Sequence, residues 1–159
     1  MNRIKVLPVL LCLAYILSSF SGAKVPSWIP KDFDPRKNIL LIQSAEIHGC
    51  MEQGDDKQAR VVKEGMADYP YKYELAKPAD IMNGSKYQNK DIYRWALLTS
   101  RVDMGDAPGQ GTMQVSGADF HIYDRKMDKH YAPTGRSNSF LKGVLKYTIS
   151  NIVKYAKGL

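Results

Sequence analysis

The chain has 159 residues, a formal charge of +7 at pH 7, 44% hydrophobic and 25% charged residues, and only two cysteines. This composition excludes a disulfide framework and a low-complexity chain, and is enough for one apolar core. The positive surplus suits solubility and weak attraction to anionic surfaces, and is too dilute to indicate nucleic acid.

The first residues, MNRIKVLPVLLCLAYILSSFSGAK, place Arg3 and Lys5 before an apolar run from Val6 to Leu17, and close on the small residues Ser21, Gly22 and Ala23. That order of charge, apolar stretch and small residues is expected of a secretory signal peptide covering residues 1–23, and the run is shorter than the roughly 20 residues of a bilayer span. A periplasmic or secreted location follows, without a transmembrane span. Leu11 stands where a lipoprotein cysteine at Cys12 needs a small residue, so lipidation is not expected. Residues 24–37 read as an extended leader, since three prolines there fix φ and remove amide donors, with Trp28 and Phe33 pinning it to the domain.

Residues 38–159 are expected to form a single α+β domain. "NILLIQ", 38–43, has four consecutive apolar residues and predicts an interior strand. Asp55 or Asp56 is the expected cap of a helix whose stripe is Ala59, Val62, Met66 and Tyr69, stopped by Pro70. "YKYELA" alternates like a half-buried strand, and the polar segment 77–91 is either a flexible excursion or a short helix. In "IYRWALLTSRV", 92–102, Tyr93, Trp95, Leu97 and Thr99 share one face and Ala96, Leu98 and Val102 the other.

"DMGDAPGQGT", 103–112, has loop composition. In the strand after it, Ala118, Phe120 and Ile122 are expected inward and Asp119, His121, Tyr123 and Arg125 outward, with a turn at 126–129 and a pairing strand near His130 and Tyr131. Leu141, Leu145, Thr148, Ile149, Ile152 and Ala156 recur at helical spacing behind a possible cap at 137–139, which predicts a C-terminal helix. The expected architecture is a two-layer sandwich, a mixed or mostly antiparallel sheet of four to five strands with two main helices on one face.

Few residues carry a chemical signature. Glu46, His48 and Cys50 would share one face if the first strand ran on, a possible transition-metal set, but Gly49 interrupts the extension and no second ligand pair accompanies it. Cys50 as a nucleophile, with His48, His121 or His130 as its base, is opposed by Glu52, Asp55 and Asp56, whose charges disfavour a thiolate. The pairs Asp103/Asp106 and Asp119/Asp124 suit strand ends and turns better than a sugar cleft, and no GxSxG, HExxH, P-loop or GxGxxG motif is present. No cofactor is expected. Two surfaces are candidate binding sites: Lys142, Lys146, Lys154 and Lys157, off the apolar stripe of the last helix, and the hairpin face of His121, Tyr123 and Arg125.

The segments "ILLIQ", "DYPYKYELA", "DIYRWALLTSRV" and "ADFHIYDRKMDKHY", with the terminal helix, resemble the small exported α/β domains of bacterial envelope proteins. The type is found in the curli-secretion lipoprotein and in the N-terminal domain of the Tol-system periplasmic protein. The resemblance implies a non-catalytic module that binds or assembles with another envelope protein or an anionic polymer. The chain departs from many such relatives in lacking a lipobox, so anchoring by a lipid is not carried over.

Overall fold

The computed structural model describes residues 26–106 and 114–159. The expected signal peptide and the apex of the 103–112 loop lie outside the described residues. Nine elements follow in order: β1 (Leu40–Gln43), α1 (Asp55–Gly65), β2 (Tyr73–Ala76), α2 (Pro78–Asn83), a 3-10 turn (Ser85–Tyr87), β3 (Trp95–Asp106), β4 (Gln114–Asp124), β5 (Lys129–Pro133) and α3 (Leu141–Lys157). The five strands form one mixed sheet in the order β2-β1-β3-β4-β5. β1 is parallel to both β2 and β3, while β3–β4 and β4–β5 are antiparallel.

The apolar run of β1 is continuous because the strand is central and covered twice. Leu40 and Ile42 enter the larger core, with Val62 of α1, Met66 just past its end, and Leu141, Val144, Leu145, Ile149 and Ile152 of α3. Leu41, between them, enters a smaller core on the opposite face with Ala96, Leu98, Tyr123, Ile81 of α2 and Tyr87 of the 3-10 turn. The sheet therefore has its two main helices on one face, as expected, and the 77–91 segment is not an open excursion but a short helical cover over the other.

The aromatics of the leader pack as expected, but its described backbone is a run of turns and not extended: the Ile29, Phe33 and Lys37 amides donate to the Pro26, Pro30 and Asp34 carbonyls. Trp28, Ile29 and Phe33 are buried in the larger core, and Phe33 meets Trp95 edge-on at 5.4 Å between ring centroids. This arrangement adds an aromatic contact to the burial of two large side chains.

Some details differ from the sequence expectation. Gly54, not an aspartate, occupies the N-cap of α1, and Asp55 and Asp56 fall in the first turn, where their charge still opposes the positive end of the helix. α1 stops at Gly65, and Met66 and Tyr69 reach the core from the turn that follows. β3 runs four residues further than Val102. Tyr93 precedes β3 and packs with the smaller core, not beside Trp95, because the strand alternation does not extend back through Arg94.

The reading of β4 needs the largest correction. Asp119, His121, Tyr123 and Arg125, expected to face solvent, are all buried. Asp119 accepts from the amides of Phe120 and Gly135 and from the Thr134 hydroxyl. Arg125, 3% exposed, donates to the carbonyls of Ile81, Tyr87 and Tyr93 at 2.7, 2.8 and 2.7 Å. Alternation identified the two faces correctly, but a charged side chain looks solvent-bound until its partners are known.

Candidate functional site

The Glu46, His48 and Cys50 grouping does not form. β1 ends at Gln43, Glu46 takes a left-handed φ of 54° and Gly49 one of 84°, so the alternation that would align the three side chains is lost. Glu46 and His48 are exposed while Cys50 is buried in the larger core. Among the described residues no group of three His, Cys, Asp or Glu side chains is placed to hold a metal ion. Gly49 is required for a second reason: a Cβ there would stand 2.4 Å from the Gly117 carbonyl oxygen. The loop after β1 can lie against β4 only without that side chain.

Gln58 fixes the same loop from α1. Its amide accepts from Ile47 N at 3.0 Å and donates to the carbonyls of Ile47 and Glu52 at 2.9 and 3.0 Å. The Cys50 thiol donates within this loop, toward the Ile47 and Glu52 carbonyls. Burial, and then the Glu52 charge, push the thiol up from its ordinary value. That is the opposite of what a nucleophilic cysteine requires.

The lysines of α3 do not act as one set. Lys142 pairs with Glu64 of α1 at 2.6 Å and ties the two helices together. Lys146, Lys154 and Lys157 line one groove of about 240 Å³ beside the C-terminal end of α1, with Gly65, Asp68, Ile149 and Val153. Beside it α1 lies close on α3: a Cβ at Gly65 would fall 2.7 Å from Leu145 Cδ2. All three lysines are exposed, and none makes an ion pair among the described residues.

A second cleft, of about 330 Å³, opens beyond the carboxyl end of β1, lined by Gln43, Glu46, His48, Pro78, Met82, Leu98, Thr99, Arg101, His121 and His130. Its floor is built from buried polar groups. Gln43, 5% exposed, donates to the Ala45 and Glu46 carbonyls and accepts from Thr99 N at 2.9 Å. His121 Nδ1 lies 3.0 Å from Ser100 Oγ, and its Nε2 lies 2.9 Å from His130 Nδ1. The His130 ring stacks on Tyr123, centroids 4.4 Å apart, and the Tyr123 hydroxyl donates to Asp128 at 2.6 Å.

Burial first, and His130 second, lower the His121 pKa to about 4 from its ordinary 6.5. The neutral imidazole is therefore the folded form near pH 7. An unfolded chain takes up this proton first as pH falls, so the stability that depends on neutral His121 is complete above pH 6.5. It is lost as pH falls through the folded value. With a discount for solvent screening, urea stability should fall by about 1–2 kcal/mol more between pH 6.5 and pH 4 in the natural chain than in His121→Asn. Parallel pH profiles of the two proteins would contradict this assignment.

The sequence residues thus divide. Lys146, Lys154 and Lys157 come together; Lys142 serves as a helix tie; His121 lines a cleft; Tyr123 and Arg125 are structural. Ser100, Gln43, Arg101 and Met82 were not anticipated. The register that sets Leu98 opposite His121, and so Ser100 diagonal to it, could not be read before the strands were paired.

The described residues form an open mixed-sheet α+β domain, with a lysine-lined groove beside α1 and α3 and a histidine-lined cleft beyond β1. No family model matches this chain, and no curated protein matches it. Among solved structures, it is similar to PelC of Paraburkholderia phytofirmans, described as a dodecamer, with 9% identity and a TM-score of 0.42 over 74% of this chain and 90% of that one.

Proposed function

We propose that this protein is an exported, non-catalytic module of the bacterial envelope that binds an anionic partner, polymer or protein, along the lysine groove. The carrying observation is the convergence of Lys146, Lys154 and Lys157 on one groove, while Lys142 is held apart by Glu64. Three exposed ammonium groups over a floor of Ile149 and Val153 suit a chain of spaced negative charges: the lysines meet the charges, and the aliphatic floor meets the backbone between them. Export rests on the residue order of the first 23 positions, and no described helix is long and apolar enough to cross a membrane.

The test uses polyglutamate and alginate as probes at low and high salt. Binding should weaken with salt, and the triple substitution Lys146→Gln, Lys154→Gln and Lys157→Gln should weaken it by about tenfold or more. Lys142→Gln should leave it nearly unchanged. Equal loss from Lys142→Gln, or none from the triple variant, would remove the groove from the account. Intact-mass analysis of the protein recovered from a bacterial envelope should give a chain beginning at Lys24; a mass that retains residues 1–23 would count against processing by signal peptidase.

A further inference from the structure

The cleft beyond β1 coincides with a reversal in the topology. From β1 the chain passes through α1, on the face of the larger core, to β2 on one side. It then returns under α2, on the opposite face, to β3 on the other side of β1. Parallel neighbours whose connections leave on opposite faces open a crevice beyond their carboxyl ends, and in open α/β sheets ligands bind in that crevice. At about 330 Å³, this one falls within the range of small-molecule sites.

We propose that this cleft is a binding site for a small monocarboxylate with an apolar body. Met82 and Leu98 supply apolar wall, and Arg101 the permanent cation. Arg101 already donates through Nε to Asp103 at 3.3 Å, but both side chains are mostly exposed. Such a pair is weak, and it leaves the terminal nitrogens for a planar carboxylate. Glu46 lines the same cleft, and its charge disfavours a dianion more than a monoanion.

The histidine chain supplies direction. A neutral His121 carries one ring proton, and both of its nitrogens are engaged. With both rings neutral, two proton orders satisfy the chain. In one, the Ser100 hydroxyl donates to His121 Nδ1 and His121 Nε2–H donates to His130 Nδ1, so the proton of His130 sits on Nε2. In the other, every donor is reversed and His130 Nε2 is an acceptor. Of these two neutral orders a carboxylate selects the first, in which His130 Nε2 carries the hydrogen that can donate to it. Ser100, His121 and His130 stand on β3, β4 and β5, so the rings are positioned before the ligand arrives and only the proton order is left to it.

NMR titration of the purified protein with butyrate and benzoate at constant ionic strength, with butyramide and benzamide as neutral controls, tests the site. Saturable shifts are expected at the Met82 methyl, Arg101 and His130, with the amides at least tenfold weaker. Arg101→Gln, at an exposed position, should weaken the acids by fivefold or more and leave the rest of the spectrum in place. The proposal is overturned by no saturation at tens of millimolar acid, by amides binding as well as acids, by an Arg101→Gln variant with natural affinity, or by shifts confined to Lys146, Lys154 and Lys157.

Discussion

Replacing Arg125 with methionine should lower the unfolding free energy by about 3–5 kcal/mol, read from urea unfolding at neutral pH. Methionine keeps most of the length and apolar contact of the arginine stem. What it removes is a guanidinium bonded to three main-chain carbonyls, those of Ile81, Tyr87 and Tyr93. Ile81 belongs to the short helix α2 and Tyr87 to the 3-10 turn, so Arg125 holds down elements too short to be stable alone. Burial lowers the Arg125 pKa, yet a guanidinium keeps its charge, which makes each bond charge-assisted.

The loss should also be local before it is global. Amide exchange at Ile81 and Tyr87 should accelerate well before that at Ile149 and Ile152, whose helix packs on the other face. Arg125→Lys should recover part of the stability, since an ammonium can reach one or two carbonyls and not all three. A loss below about 1 kcal/mol for Arg125→Met would mean that water replaces the guanidinium without difficulty.

The second large effect is expected at Asp124. Its carboxylate is fully buried and accepts from Arg94 Nε at 3.1 and 3.0 Å, from Arg94 Nη2 at 2.5 Å, and from the Lys126 and Met127 amides at 2.9 and 3.2 Å. Burial on its own would raise this carboxyl; the Arg94 guanidinium and the two amides outweigh it and hold the group below its usual range. Asp124→Ala should therefore cost about 3–5 kcal/mol, because it leaves a half-buried guanidinium and two turn amides without their acceptor.

Arg94 also reaches Asp32 in the leader at 2.5 Å and lies 4.3 Å over the Trp95 ring. One cation thus joins the β4–β5 turn, the leader and the core aromatic. Asp32 is half exposed, and Asp32→Asn should have a much smaller effect than Asp124→Ala. The sign with pH follows from the depressed carboxyl: the Asp124 contribution is complete above the ordinary carboxylate range and is lost as pH falls through the folded value. Equal destabilisation by the two substitutions would show that exposure does not decide their strength.

Burial that depends on neighbours explains which parts of the candidate sites were legible. The α3 stripe and the alternation in β4 were readable because helix and strand periods project apolar side chains to one side whatever the rest of the chain does. The lysines could be placed off that stripe by the same geometry. Their division into a helix tie and a groove could not, since it depends on where Glu64 of α1 comes to rest.

His121, Tyr123 and Arg125 share one face, as expected from alternation, yet that face is covered. Over Tyr123 and Arg125 the cover is the 77–91 segment, which has little apolar periodicity and is held down by its contacts with them. Arg125 looks solvent-bound in the sequence; only carbonyls brought from 32 to 44 positions away make its burial tolerable.

From its residues alone, this chain determined the class of fold, the number of principal helices, the central strand and the aromatic pinning of the leader. All of these follow from local period and from the water-avoidance of large apolar side chains. Tertiary structure alone decided the strand order, the covered second face, and the meeting of Ser100, His121 and His130 beside Arg101. Each of those depends on pairing between strands and packing between distant segments, and no spacing along a single chain encodes such distances.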